Sequence, residues 1–200
     1  MTTKEKIKEK NALWDTTTPN QKRVLIAKDV IARIKSNQYI ANKGLWITIK
    51  DCHRLEGSSL QVELLRDDSD IQCRVCALGG IMTSLASFKN NIIIERDGIS
   101  AFEFSDLKDG SIDDVNNFIG LFGQKQLAMI EIAYEGEDGY HNFYKESEVE
   151  YFNEQKSVNN MFTEAQYTRY VLFSKKFESN AERLTAIMQN IVDNHGFFKI

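Results

Sequence analysis

The chain has 200 residues, 42% of them hydrophobic, and a formal net charge of −4, which favours one globular unit needing no disulfide or metal staples. No run of about 18 apolar residues occurs, and the start is rich in lysine and glutamate and lacks the apolar centre of a secretory signal. We therefore expect a cytoplasmic protein with no membrane partner.

The first 17 residues form a polar, lysine-rich segment, and we expect a single globular domain over residues 18–200. Thr18-Pro19 predicts a helix start, because threonine caps free amides and proline suits the first helical position. This helix should extend to about Asn37. Its core-facing stripe should contain Val24, Ala27, Ile31 and Ile34.

The next segment predicts a hairpin and then a buried helix. Residues 39–41 and 45–49 flank a short loop containing Gly44, a pattern typical of hairpins. Residues 50–70 have no clear pattern. Apolar residues from Ile71 to Leu85 recur at helical spacing and predict a central helix, in which Gly79 and Gly80 indicate close approach of another backbone.

The middle of the chain gives weaker signals. Residues 92–104 are read as a second hairpin or one strand, and Ser111-Ile112-Asp113-Asp114 as the start of a short helix. A better helix is predicted from about Gly123 to Tyr134, with Gly136 ending it. Residues 137–160 should be a charged surface excursion.

Two further helices are expected in the last part of the chain. One covers about residues 162–173, and the other follows a capping box at Ser179–Glu182 and stops at Gly196. Residues 197–200 predict a short final strand. Together these elements predict a helix-dominated α+β fold: a compact single domain with a small antiparallel sheet or hairpins.

The three cysteines, an odd number, indicate free thiols in a reducing compartment. Cys73 and Cys76 form a CxxC, and with Cys52 and His53 they offer four soft ligands for a metal, or a redox pair. Neighbouring residues rarely reach one ion together, and free cysteines also pack as small hydrophobes. We expect core packing, with no metal and no cofactor.

Other chemistry has little support in the sequence. No GxGxxG or GxxxxGK[ST] phosphate-binding motif occurs, and His53, His141 and His195 are the only histidines. Two acidic clusters could hold a hard cation but lack the ligand order of an EF-hand, so we expect solvated loops. These clusters are Glu135, Glu137 and Asp138, and Asp67, Asp68 and Asp70.

Charge is distributed unevenly along the chain. Residues 1–54 contain 12 Lys/Arg and 5 Asp/Glu, whereas residues 95–154 contain 4 and 15. Such asymmetry steers partners of opposite charge, although ordinary solvated faces have the same composition. The basic third carries Arg23, Lys28, Arg33, Lys35, Lys43 and Lys50, with Tyr39 and Trp46 nearby, and would be the nucleic-acid-binding surface if one exists.

Four blocks resemble small uncharacterised proteins encoded by bacteriophages and other mobile elements. The blocks are QKRVLIAKDVIARIKSNQYI at 21–40, CRVCALGGIMTSLASF at 73–88, FGQKQLAMIEIAYEG at 122–136 and ERLTAIMQNIVDNHGFF at 182–198. The resemblance implies a shared fold and a viral setting. It transfers no catalytic residue.

The sequence favours a non-enzymatic protein-binding module, such as a phage-encoded inhibitor of a host defence or regulatory protein with a basic surface. Two alternatives stay open: an enzyme using Cys73, Cys76, His53 and acidic loops, and a nucleic-acid-binding module using the basic third. The predicted partner-binding residues are Glu103, Asp106, Asp109, Asp113, Asp114, Glu135, Glu137, Asp138, Glu146, Glu148 and Glu150.

Overall fold

A computed structural model describes residues 1–44, 46–88, 94, 120–136 and 162–200. The α-helices are α1 (Thr3–Thr16), α2 (Pro19–Lys35), α3 (Leu60–Leu65), α4 (Ala77–Phe88), α5 (Gln124–Glu135), α6 (Glu164–Ser174) and α7 (Asn180–Asp193). The strands are β1 (Tyr39–Ala41), β2 (Ile47–Ile49) and β3 (Cys73–Val75), and a short 3-10 helix covers Cys52–Leu55. The predicted helix-dominated α+β fold is confirmed.

Local capping explains where several helices begin. In α2 the Thr18 hydroxyl accepts a hydrogen bond from the backbone amide of Gln21, and the side-chain oxygen of Gln21 accepts one from the backbone amide of Thr18. Two backbone donors at the helix start are thereby satisfied. Ser179 and Glu182 form the predicted capping box of α7. The predicted helices at α2, α5, α6 and α7 are thus confirmed to within a few residues.

The sheet corrects the predicted first hairpin. β1 and β2 do not pair, because β3 lies between them, parallel to β1 and antiparallel to β2. The connection between β1 and β2 therefore spans two strand spacings, roughly 9–10 Å, and is no tight turn. The sheet is mixed, and not antiparallel as predicted.

The predicted central helix begins later than expected. Residues 71–75 alternate between buried and more exposed side chains, and Cys73–Val75 is strand β3. The helix α4 starts at Ala77, and Cys76 caps it: its sulfur accepts a hydrogen bond from the Gly79 amide at 3.4 Å. The apolar residues Ile71 and Val75 thus belong to the sheet region, and not to the helix.

Helix α4 is the centre of the core, since all of its residues are buried. It packs against α1, α2, α3 and α5 and against the sheet. The predicted close backbone approach lies at Gly79, where a Cβ would be 1.6 Å from the carbonyl oxygen of Trp46. Only glycine allows this contact.

Both ends of the chain join this body. The polar segment 1–17 contains α1, which packs on α3 and α4; Trp14 is buried and stacks on Phe88 at 5.6 Å. At the other end, the predicted final strand is not formed. Phe198 is buried, and its amide donates to the Gln126 side chain at 2.7 Å instead of a neighbouring strand.

Three predictions lie outside the described residues: the second hairpin at 92–104, apart from buried Ile94, the helix start at 111–114, and the excursion at 137–160. None of the helices in the described ranges combines the length and the apolar character that a membrane span requires.

We expect Gly79→Ala to lower the free energy of unfolding by about 3 kcal/mol or more, because the new methyl group would collide with backbone atoms of Trp46. Gly80→Ala is the matched control: its Cβ would meet Val30 and Val75 at 3.6 Å, an ordinary contact. The control should gain up to about 1 kcal/mol from helix propensity. Urea unfolding measures both, and equal effects would contradict the assignment.

Candidate functional site

The structure describes one of the eleven predicted partner-binding residues. Glu135 is the last residue of α5 and is only 3% exposed, so its assignment to an acidic surface is wrong. Its carboxylate accepts a hydrogen bond from the Gly44 amide at 3.2 Å. The other ten residues lie outside the described ranges, and their role stays a prediction.

The proposed Cys/His constellation is not assembled by the residues described. Cys73 and Cys76 are free and buried, His53 is exposed, and the side chain of Cys52 lies outside the description. Burial raises the pKa of Cys73 to about 12, although nearby Arg33 partly opposes this change. A thiol so rarely deprotonated is a poor nucleophile.

Some residues of the predicted basic surface bond to groups within the fold instead. Arg33 is 6% exposed and donates to Asp29 at 2.6 Å and to the Leu64 carbonyl at 3.0 Å. Lys10 also donates to Asp29 at 2.6 Å. Arg23 donates to the Leu121 carbonyl at 2.7 Å, while Lys28 and Lys35 stay exposed.

The acidic residues at 67–70 are paired at the surface. Asp67 pairs with Lys6, Asp68 with Arg66 and Asp70 with Arg54. Pairing with cations gives these carboxylates an ordinary structural role.

A different set of metal-ligating groups lies together in the core. Cys76, Glu131 and Glu135 are all buried, and one donor atom of each lies within 4.8 Å of the others. Glu131 and Glu135 share a face of α5 because residues four apart lie one turn above each other. That face meets the region of α4, whose capping residue is Cys76.

The electrostatics of this cluster differ from those of an ordinary ion pair. Burial raises the pKa of Glu131 well above its usual value, and the neighbouring carboxylate of Glu135 raises it further. Burial and the charge of Glu131 likewise raise the pKa of Cys76. Without a cation, protonation of these groups lowers the cost of burying them.

Two polar atoms in this region have no hydrogen-bond partner among the residues described. They are Oε2 of Glu131 and the hydroxyl of Tyr134, one turn along the same helix. Two cationic side chains bond to the backbone at this end of α5: Lys43 Nζ donates to the Glu135 carbonyl at 2.7 Å, and the Arg183 guanidinium donates to the Tyr134 carbonyl at 3.0 Å. The cluster is therefore a polar site enclosed by protein.

The sequence prediction missed Glu131. Its signal was a pair of glutamates spaced by four in a helix that is otherwise largely apolar, which places two carboxylates on a buried face. The partnership with Cys76 had no local signal, since it depends on how α4 and α5 pack.

Comparison of this chain with protein-family models, with curated proteins and with solved structures finds no match.

We expect Asp29→Asn to lower the free energy of unfolding by about 3–5 kcal/mol at neutral pH, since Lys10 and Arg33 would lose their buried counter-charge. Burial raises the pKa of Asp29, but Arg33 and Lys10 lower it more, so the net change is downward. The contribution of Asp29 is therefore full above about pH 4 and is lost as pH falls through the folded-state pKa.

Denaturant unfolding from neutral pH to about pH 2 measures this loss. Exposed Asp193→Asn is the control and should change stability by less than about 0.5 kcal/mol. A parallel pH dependence of the wild type and Asp29→Asn would contradict the role of the ion pairs.

We also expect the native thiols to be inert. In a Cys52→Ser chain kept in chelator, Cys73 and Cys76 should react with a disulfide reagent about a thousandfold more slowly than in denaturant, given their burial and raised pKa. Stopped-flow absorbance measures the rate. Rapid reaction of either thiol in the folded chain would favour the enzyme alternative.

Proposed function

We propose that the protein is a protein-binding module that contacts a partner with a basic surface through two acidic segments, residues 95–119 and 137–161. One observation carries the proposal: the acidic segments contain 4 Lys/Arg and 13 Asp/Glu, whereas the described residues contain 20 and 16. Negative charge is thus concentrated in two stretches attached to a slightly basic body.

The described helix α5 supports this arrangement. The first acidic segment precedes Gly120 and the second follows Gly136, so the two join the body near opposite ends of a helix of 12 residues. Such a helix is about 18 Å long. Phe122 is buried just before α5, and Phe162 packs edge-on against Tyr170 at 5.8 Å. These two aromatic side chains fix the described chain to the body close to where each segment is attached.

The described residues give less support to the two alternatives. The enzyme hypothesis depended on Cys73 and Cys76, which are buried and have raised pKa values. The nucleic-acid-binding hypothesis depended on the basic first third of the chain, where Arg33 pairs with Asp29 inside the fold. Binding through the acidic segments needs neither set of residues.

The chemistry of the partner follows from the charge. Closely spaced carboxylates resemble the phosphate backbone electrostatically, so a nucleic-acid-binding protein offers the complementary surface. A phage-encoded inhibitor of a host defence or regulatory protein would act by covering such a surface.

The test is affinity capture of the tagged full chain from a bacterial lysate at low and high salt, with bound proteins and nucleic acids identified. We expect a stoichiometric basic protein at low salt that is lost at high salt, because screening weakens contacts between exposed charges. Neutralising three acidic residues within the second segment should slow association severalfold; the changes are Glu146→Gln, Glu148→Gln and Glu150→Gln.

The matched control neutralises three exposed glutamates of the described body: Glu9→Gln, Glu164→Gln and Glu178→Gln. Association should then keep its wild-type rate. An empty capture, salt-insensitive binding, or an equal effect of the two triple variants would each count against the proposal. Capture of nucleic acid alone would favour the basic third.

A further inference from the structure

We propose that Cys76, Glu131 and Glu135 bind one divalent transition-metal ion, with Zn²⁺ as the best match, and that this ion joins the start of α4 to the end of α5. The proposal uses residues of the described body and does not depend on the acidic segments. Its failure would therefore leave the protein-binding proposal intact.

The geometry of the donor atoms fits one ion. The thiol sulfur and the two carboxylate oxygens lie within 4.8 Å of one another. In a tetrahedral zinc site, ligand lengths of about 2.0–2.3 Å put neighbouring donors roughly 3.5 Å apart. The donors must therefore approach one another by up to roughly 1.3 Å when an ion binds.

A second observation points to a missing partner at the same place. Glu131 is 6% exposed, and its Oε2 has no hydrogen-bond partner among the described residues. Tyr134, one turn further along α5, is fully buried with an unpartnered hydroxyl. Native proteins rarely leave buried polar atoms unpaired, and a bound ion would give this carboxylate oxygen a partner.

The donor set selects the class of metal. Mg²⁺ and Ca²⁺ take oxygen ligands alone, whereas a thiolate with two carboxylates suits borderline ions such as Zn²⁺ and Co²⁺. Cys76 lies at the N-terminus of α4, where the helix dipole favours negative charge and so stabilises a thiolate ligand.

The burial of the cluster indicates a structural ion. Cys76, Glu131 and Glu135 are only 2%, 6% and 3% exposed. The loop before β2 lies against the cluster, since the Gly44 amide donates to Glu135. An ion here would hold α4, α5 and this loop together, and its loss should destabilise the fold without changing its architecture.

The experiment begins with the full chain stripped by chelator and desalted. Zn²⁺ is titrated into it, and native mass spectrometry measures stoichiometry while competition with a chelating dye measures affinity. We expect one tightly bound ion per chain and a higher melting temperature, unchanged by excess Mg²⁺. Co²⁺ should give a thiolate-to-cobalt charge-transfer absorption, which reports ligation by sulfur.

Two variants test the ligands. Cys76→Ser removes the sulfur but keeps an oxygen that can accept the hydrogen bond from the Gly79 backbone amide and so cap α4. Glu131→Gln keeps the shape of the side chain and removes its charge. Each should weaken Zn²⁺ binding at least about 100-fold, and Cys76→Ser should abolish the cobalt band.

Matched controls are Cys73→Ala, another buried thiol, and Glu63→Gln, another buried carboxylate, which pairs with Arg66. Both should bind one Zn²⁺ as the wild type does. Circular dichroism of the metal-free variants checks folding. No stoichiometric Zn²⁺ in the wild type, or wild-type affinity in Cys76→Ser and Glu131→Gln, would overturn the proposal.

Discussion

The contact between Gly79 and the carbonyl of Trp46 sets the positions of the elements around it. Because Gly79 has no side chain, the chain entering β2 passes directly over α4. The same carbonyl accepts a hydrogen bond from the Cys76 amide at 3.3 Å, which joins the approach to β2 with the start of α4. This junction places β3 against β2 and brings the sulfur of Cys76 to the helix end.

Two buried acidic centres lie near opposite ends of α4 and differ in how their charges are compensated. Asp29 has Lys10 and Arg33 as counter-charges, and the Ser87 hydroxyl donates to it at 3.3 Å. Glu131 faces another carboxylate and a thiol instead. Removing a carboxylate from water costs several kcal/mol unless partners replace the solvent. The first centre satisfies that condition with side chains of the chain, whereas in the second centre Oε2 of Glu131 has no hydrogen-bond partner among the described residues.

The sequence predicts the elements of this fold better than their arrangement. Capping boxes and apolar stripes are local signals, and they identified α2 and α7 because the bonds that stabilise a helix end lie within one turn. The order of the sheet depends on β3, which is far from β1 in sequence. Its alternation of buried and more exposed side chains over residues 71–75 was readable, but the apolar spacing also fitted a helix. The candidate site joins residues 55 positions apart, Cys76 and Glu131, and no local pattern reports that packing.

The end of α5 links the two proposals physically. Glu135 is its last residue, and Gly136, with a φ of 76°, ends the helix directly before the second acidic segment in sequence. An ion held by Glu135 would fix the point from which that segment departs. If partner binding changes the conformation of that helix end, thermodynamic linkage requires the ion and the partner to change each other's affinity by the same factor. The two sites would be uncoupled only if partner binding left the conformation and mobility of that helix end unchanged.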